Sequence, residues 1–210
     1  MHKPGRTLIP RQTIYRLSIY LRSLARWRDR GLATVSSAAL AGAAGVKPTQ
    51  LRKDLAYFGT FGKRGLGYDV AALSAKIAGA LGTSRRQPVI LVGVGNLGLA
   101  LLSYRGFENE GFEIMAAFDA APLRKRDKPL RQPIWGMEKL GEFTRQNRVK
   151  MAILAVPAAA AQEVANAMVQ GGITGILNFS PLVLAVPDTV TVNHVNLAME
   201  LENLSYFIQD

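Results

Sequence analysis

An apolar run closed by spaced glycines, a strand and helix alternation behind it, and a strongly basic segment ahead of it predict an α/β chain with two distinct parts. The glycines stand in "PVILVGVGNLGLALLSY" (88–104), and the basic segment fills the first third. At 210 residues, 49% of them apolar, the chain has material for two small packed domains or one larger one.

Charge separates the two parts. The chain carries 26 Lys and Arg against 15 Asp and Glu, a formal charge of +11. Residues 1–68 hold 13 of the cations and only Asp29 and Asp54 as acids, whereas residues 69–210 balance 13 basic with 13 acidic groups. The excess therefore lies wholly in the first third, the electrostatic footprint of a nucleic-acid-binding module joined to a neutral domain; an anionic membrane surface ranks second as partner. The absence of cysteine excludes disulfides and thiolate chemistry, and His2 and His194 alone exclude a His-rich metal cluster. No apolar run approaches the roughly 18 residues of a membrane span, and "MHKPGRTLIPRQTIYRL" lacks an apolar signal core, so a cytoplasmic protein is expected.

In the basic third, "PRQTIYRLSIYLRSLARWRDRG" spaces Ile14, Leu17, Leu21 and Leu24 as one face of a long helix, entered at Pro10 and stopped at Gly31. Its other face carries Arg16, Arg22 and Arg26, which can meet phosphates or simply water. In "VSSAALAGAAG", Ser36 or Ser37 can cap a short helix that Gly45 ends. After "VKPTQ", the segment "LRKDLAYF" sets Leu51, Leu55 and Phe58 on one side and turns Gln50, Arg52 and Lys53 mostly outward. Two short helices joined by a tight link, the second polar and basic near its start, form a helix-turn-helix, whose second helix suits the major groove. Between Phe61 and Tyr68, three glycines including Gly65 permit a tight turn with Lys63 and Arg64 at its tip, the wing of a winged helix whose cations can enter a minor groove. An ordinary basic turn is the alternative.

The remaining two thirds read as a dinucleotide fold. Gly93, Gly95 and Gly98 form G-x-G-x-x-G between a strand and a helix, with Val94, Asn96 and Leu97 completing a phosphate loop at the helix N-terminus. The next strand, "FEIMAAFDA", ends at Asp119, 21 residues after Gly98, where a carboxylate binds the ribose hydroxyls of NAD and repels the 2′-phosphate of NADP. Arg124, Lys125 and Arg126 favour NADP but lie farther along a loop, so NAD ranks first. Strand "KMAILAVP", helix "AAAAQEVANAMVQGG", strand "TGILNFSP" and a short "VTVNHV" extend the alternation into a parallel Rossmann sheet. Val156 and Pro157 can wall the cofactor, and Asn178 to Pro181 can lie near the nicotinamide; loop punctuation accounts for them equally well. "NLAMELENLSYFIQD" spaces Leu197, Leu201, Leu204 and Ile208 on one face that needs a covering surface, from its own domain, a partner subunit, or both.

No local motif supplies the acid or base that hydride transfer requires. His194 reads best as a strand histidine, and Tyr104 serves as an acid or as a subunit contact. A dinucleotide site without catalytic equipment suits a sensor better than an enzyme.

The stretches "VSSAALA", "LRKDLAYFGTFGKRGLGY", "VGVGNLG", "AFD", "AILAVPAAAAQ", "GITGILNFSP" and "VNHVNLAMELENL" resemble, in order and over nearly the whole chain, the Rex family of redox-sensing transcriptional repressors. The resemblance implies a winged-helix domain over 1–84, a Rossmann NAD(H)-binding domain over 85–195, and a C-terminal dimerisation helix over 196–210 exchanged between subunits. It also implies a homodimer on an inverted-repeat operator, released by NADH while NAD+ competes without releasing it. Carried over by position, Arg52 and Lys53 belong to the recognition helix, Gly62 to Tyr68 to the wing, Gly93 to Gly98 to the phosphate loop, and Asp119 to the ribose contact. Where relatives carry Asp in an "H-[IV]-D-L" segment, this chain has Asn196, followed by Leu197. In relatives that acid joins a subunit-crossing contact with a tyrosine matching Tyr104; asparagine keeps the hydrogen-bond acceptor and loses the charge. The competing readings are an NAD-dependent oxidoreductase with a basic N-terminal extension and a constitutive DNA-binding protein with a vestigial nucleotide fold.

Overall fold

Pro10, with φ of −58°, leads directly into α1 (Arg11–Asp29), and Gly31 ends it at φ of +75°, a left-handed stop that favours glycine. The structure is a computed structural model that describes residues 9–62, 66–122 and 130–208, and the chain divides into two units, Met1–Arg85 and Arg86–Asp210. The buried stripe of α1 is Thr13, Leu17, Tyr20 and Leu24. Ile14, expected on that face, is 36% exposed, and Leu21 is only partly buried. The face is rotated from the expected one because Tyr20 and Thr13 carry polar atoms that find partners inside, which a purely apolar reading passes over.

A short strand β1 (Thr34–Val35) leads to α2 (Ser37–Ala43), whose cap is Ser36: its Oγ accepts from the Ala39 N–H at 3.0 Å. The link to α3 (Pro48–Ala56) is short, and α3 starts earlier than "LRKDLAYF" suggests because Pro48 takes the first helical turn, where its missing N–H costs nothing. Leu51 and Leu55 are buried with Leu40 and Ala41 of α2, and Phe58 packs partly buried beside them.

Of the expected hairpin, residues 63–65 lie outside the described residues. Its return strand, β2 (Tyr68–Asp69), pairs antiparallel with β1, in the register Thr34 to Asp69 and Val35 to Tyr68. Gly62 at φ of +73° and Gly67 at φ of +77° stand at the two ends of the loop, and a Cβ on Gly62 would meet the Gly67 carbonyl oxygen. A Cβ on Gly67 would collide with the Val35 carbonyl oxygen, so the close strand approach requires glycine there.

Beyond β2 lies a helix the sequence reading leaves unassigned, α4 (Val70–Leu81). Asp69 caps it, its Oδ1 accepting from the Ala72 N–H at 2.7 Å, and Gly82 closes it in the left-handed region. Val70, Leu73 and Ile77 bury its inner face against the α1 core.

The second unit is built on β3 (Gln87–Val92), the first strand of a fully parallel six-stranded sheet. After it come α5 (Asn96–Ser103), the short α6 (Gly106–Asn109), β4 (Phe112–Asp119), β5 (Ile134–Gly136), α7 (Leu140–Gln146), β6 (Met151–Leu154), α8 (Ala158–Gln170), β7 (Gly175–Asn178) and β8 (Thr191–His194). The strand order is β5-β4-β3-β6-β7-β8, the Rossmann order with its reversal between β3 and β6. Alternation along β3 divides the core: Ile90 and Val92 face Leu140 of α7 and Ala161, Ala165 and Met168 of α8. Val89 and Leu91 face Leu102 of α5 and Phe107 of α6. The short elements β5 and α7 are not assigned from sequence, because a three-residue strand carries no readable period.

The last helix, α9 (Leu197–Phe207), buries none of its residues. Leu197, Leu201, Leu204 and Ile208 are each at least 60% exposed, so no described part of this chain covers the apolar face.

Replacing Asp69 with Ala removes the α4 cap while leaving its packing intact. The expected loss is about 1 kcal/mol, read as a lower midpoint in denaturant unfolding of the protein.

Candidate functional site

In the first unit the recognition-helix candidate α3 is tied to α1 through one buried carboxylate. Asp54 is 0% exposed and accepts from Thr13 Oγ1 at 3.1 Å, Arg16 Nη2 at 2.7 Å and Gln50 Nε2 at 2.9 Å on one oxygen. Its other oxygen accepts from Arg16 Nε at 2.6 Å and Tyr20 Oη at 2.8 Å. Burial alone would raise the Asp54 pKa, but the hydrogen bonds from Arg16, Gln50, Tyr20 and Thr13 outweigh it and hold the carboxyl below its ordinary range. Burial and the neighbouring carboxylate push the Tyr20 hydroxyl up, so it stays a donor.

This arrangement takes Arg16, read from sequence as meeting phosphates or water, into the α1–α3 contact. Gln50 sits half-buried at the edge of that contact, while Arg52 and Lys53 are exposed on α3. Arg52 Nη1 reaches Ser37 Oγ of α2 at 3.5 Å. Tyr68, expected among the groove-facing residues, is 7% exposed and belongs to the core, because pairing with Val35 turns its side chain inward. Burial raises its hydroxyl pKa and the nearby Arg52 charge lowers it, with burial the stronger effect.

In the second unit, the ends of β3 and β6 form the crevice. Gly93 follows β3 at φ of +97°, and a Cβ there would strike the Ala155 carbonyl oxygen and the Val156 side chain just beyond β6. Gly98, inside α5, lies against the Gly93 carbonyl oxygen, so helix and strand approach closer than any side chain allows. Gly95 differs from both. Its φ of −79° suits any residue and a Cβ there would meet nothing within 4 Å. The fold needs glycine at 93 and 98; at 95 it leaves open space beside the α5 N-terminus, where Asn96 and Leu97 are exposed.

Asp119 closes the crevice on the β4 side. Its Oδ2 accepts from the Val94 N–H at 2.6 Å and its Oδ1 from the Ala121 N–H at 2.8 Å. The glycine loop, Asp119, Val156 and Pro157 therefore converge at the reversal of strand order, where open α/β sheets bind ligands. Asn178 does not join them through its side chain. It is fully buried, with Oδ1 accepting from the Ser180 N–H and Nδ2 donating to the Leu182 carbonyl, so it brackets the loop after β7. Its second N–H points to His194 Nδ1 at 3.1 Å, which makes that nitrogen the acceptor. Tyr104 is 61% exposed, edge-on to Phe107 with 5.1 Å between ring centroids. Asn196 caps α9, its Oδ1 accepting from the N–H groups of Ala198 at 3.0 Å and Met199 at 3.3 Å.

A model of a putative DNA-binding protein N-terminus matches residues 8–56, and a CoA binding domain model matches residues 84–182. The redox-sensing transcriptional repressor Rex of Carboxydothermus hydrogenoformans is 46% identical over 201 residues, covering 96% of this chain and 97% of that protein. Rex of Pelotomaculum thermopropionicum is 44% identical over 198 residues, covering 94% and 93%. The chain belongs to the Rex family. The crystal structure of the Rex-family repressor RSP in complex with β-NAD+ and operator DNA superposes with a TM-score of 0.88 at 34% identity, covering 96% of this chain and 93% of that one. RSP in complex with β-NADH gives 0.83 at 33% identity, covering 96% and 95%.

For this Rex-family member, Lys63, Arg64 and Gly65 of the wing lie outside the described residues, as do Arg124, Lys125 and Arg126. The Asp54 cluster is absent from the sequence reading, although a signal existed. Asp54 is one of two acids in the first 68 residues and falls between Leu51, Leu55 and Phe58 on the inward face of α3. Among the described residues no group of acidic or histidine side chains is placed to hold a metal, and no helix is long and apolar enough to cross a membrane.

Because the folded-state pKa of Asp54 lies below its unfolded value, its charged network stabilises the fold fully above the ordinary carboxylate range of about 4. That stabilisation disappears as pH falls through the depressed value. Acid titration of stability is expected to show a steeper decline for the wild type than for Asp54→Asn, which is less stable at neutral pH.

Proposed function

We propose that this chain is a redox-sensing transcriptional repressor: a homodimer binds an inverted-repeat operator through α3 and the loop after it, and NADH releases it. The observation that carries this reading is the union, in one chain matched over nearly its whole length by Rex repressors, of a first third that contains a helix-turn-helix and holds the whole +11 charge with a Rossmann crevice. The RSP complexes with operator DNA and with either cofactor support the same pairing of ligands.

In this mechanism Arg52 and Lys53 meet the major groove, as exposed donors on α3, and Lys63, Arg64 and Gly65 contribute further DNA contacts. The crevice takes NAD(H): the open side of Gly95 and the N–H groups of Asn96 and Leu97 face the pyrophosphate, Asp119 takes the adenosine ribose, and Val156 and Pro157 wall the site. The Asp119 carboxylate disfavours a phosphorylated ribose, as in NADP or coenzyme A. The cofactor is a regulatory ligand and the protein is not an enzyme.

A second copy of the chain covers α9, whose apolar face no described part of its own chain covers. Tyr104 and Asn196 with Leu197 belong to that subunit contact. The domains are 1–84, 85–195 and 196–210, and the protein works in the cytoplasm. NADH acts only through a difference in affinity, binding more tightly to the dimer arrangement that misaligns the two α3 helices than to the one that fits DNA.

Titrating labelled operator DNA and protein with each cofactor tests the function. Saturating NADH is expected to abolish the mobility shift and NAD+ to preserve it, with NAD+ opposing NADH in mixtures. Turnover of NADH with a carbonyl substrate and no specific DNA affinity would instead establish the oxidoreductase. At the crevice, Gly95→Ala is expected to fold with an unchanged unfolding midpoint and to bind NADH at least about tenfold more weakly, a methyl group obstructing the pyrophosphate approach. Fluorescence titration with NADH measures that loss.

A further inference from the structure

The carboxamide of Gln50 is not free to turn. Its Nε2 donates to Asp54 Oδ1 at 2.9 Å, an oxygen that also accepts from Thr13 Oγ1 at 3.1 Å and Arg16 Nη2 at 2.7 Å. An ionised carboxylate only accepts, and the four side chains around Asp54 keep it ionised against its burial. Turning the Gln50 amide through half a revolution would set its Oε1 against that carboxylate, replacing a hydrogen bond with two opposed acceptors. A planar amide with its nitrogen held inward points its oxygen the other way.

The position of Gln50 gives that orientation a consequence. It is the third residue of α3, half-buried at the edge of the α1 contact, in the N-terminal part of the helix that a helix-turn-helix protein lays against base edges. One helical step further on stand Arg52 and Lys53, which only donate. Helix α3 therefore offers an outward acceptor followed by donors.

We propose that Asp54 sets a base preference of α3: by holding Gln50 with its carboxamide oxygen outward, it makes Gln50 recognise a base that carries an exocyclic amine in the major groove. Adenine N6 and cytosine N4 supply that donor; guanine O6 and thymine O4 are acceptors and do not. This rests on the assignment of α3 as the DNA-reading helix. Asp54 is a positioning residue, and Gln50 makes the contact.

Selection from a randomised duplex pool with the full-length protein, followed by affinity measurements, tests the proposal. Wild type is expected to enrich adenine or cytosine at one symmetric position of each half-site. Gln50→Ala flattens the preference there by at least about fivefold and leaves the other positions and the salt dependence unchanged. Replacing the preferred base with its amine-free analogue weakens wild type by a similar factor and leaves Gln50→Ala unaffected, a coupling that a merely structural role would not produce. Asp54→Asn, with a neutral amide facing Gln50, lets Gln50 present either end and is expected to admit guanine or thymine at the same position. If Asp54→Asn does not fold, as judged by thermal unfolding, the Gln50→Ala and amine-deletion arms decide. Identical base preferences for wild type and Gln50→Ala at every position would overturn the proposal, as would a wild-type preference for guanine or thymine at the position Gln50→Ala flattens. A pool from which wild type enriches no sequence overturns the DNA-reading assignment as well.

Discussion

A carboxylate withdrawn from water must collect donors, and Asp54 collects five from four side chains on α1 and α3. The first unit depends on that requirement. Apolar contacts among Leu17, Leu24, Leu51 and Leu55 hold the helices together, but such contacts tolerate sliding and rotation. A buried ion pair with two short bonds from one guanidinium does not, since a small shift leaves charge unpaired in a low-dielectric interior. The network thus sets the pitch at which α3 leaves the core, and with it the direction in which Arg52 and Lys53 project.

The same accounting of polar groups orders the second unit. Asp119 accepts from the Val94 and Ala121 N–H groups, so the carboxylate at the end of β4 also shapes the glycine loop beside it. Asn178 spends its side chain on the loop after β7 and on His194. Both polar groups stand at the C-terminal ends of parallel strands, where backbone hydrogen bonding stops and side chains must replace it. Gly95 stands apart as a glycine that neither φ nor packing demands.

Much of this was legible because it follows from periods and from residues with one physical use. The G-x-G-x-x-G spacing, the acid 21 residues beyond it, the Ser36 cap and the Leu51 and Leu55 face all stand where patterns place them. Helix α4 carries an ordinary helical signal that the sequence reading leaves unassigned, with Asp69 as its cap, Val70, Leu73 and Ile77 as its face and Gly82 as its stop. Tyr68 is a different case. An aromatic residue beside a cationic loop suits DNA or a core equally, and only its pairing with Val35 decides which.

The sequence by itself determined the class of each part: charge partition marked the reader, and glycine spacing with an acidic strand end marked the dinucleotide fold. These are local properties, carried by residues a few positions apart. The tertiary structure alone decided that Arg16 serves Asp54 rather than solvent, that β2 finds its partner in β1, and that Gly93 and Gly98 are required by packing while Gly95 is not. Each of those outcomes depends on groups far apart in the chain meeting at hydrogen-bonding or van der Waals distance, and no local pattern encodes such a meeting.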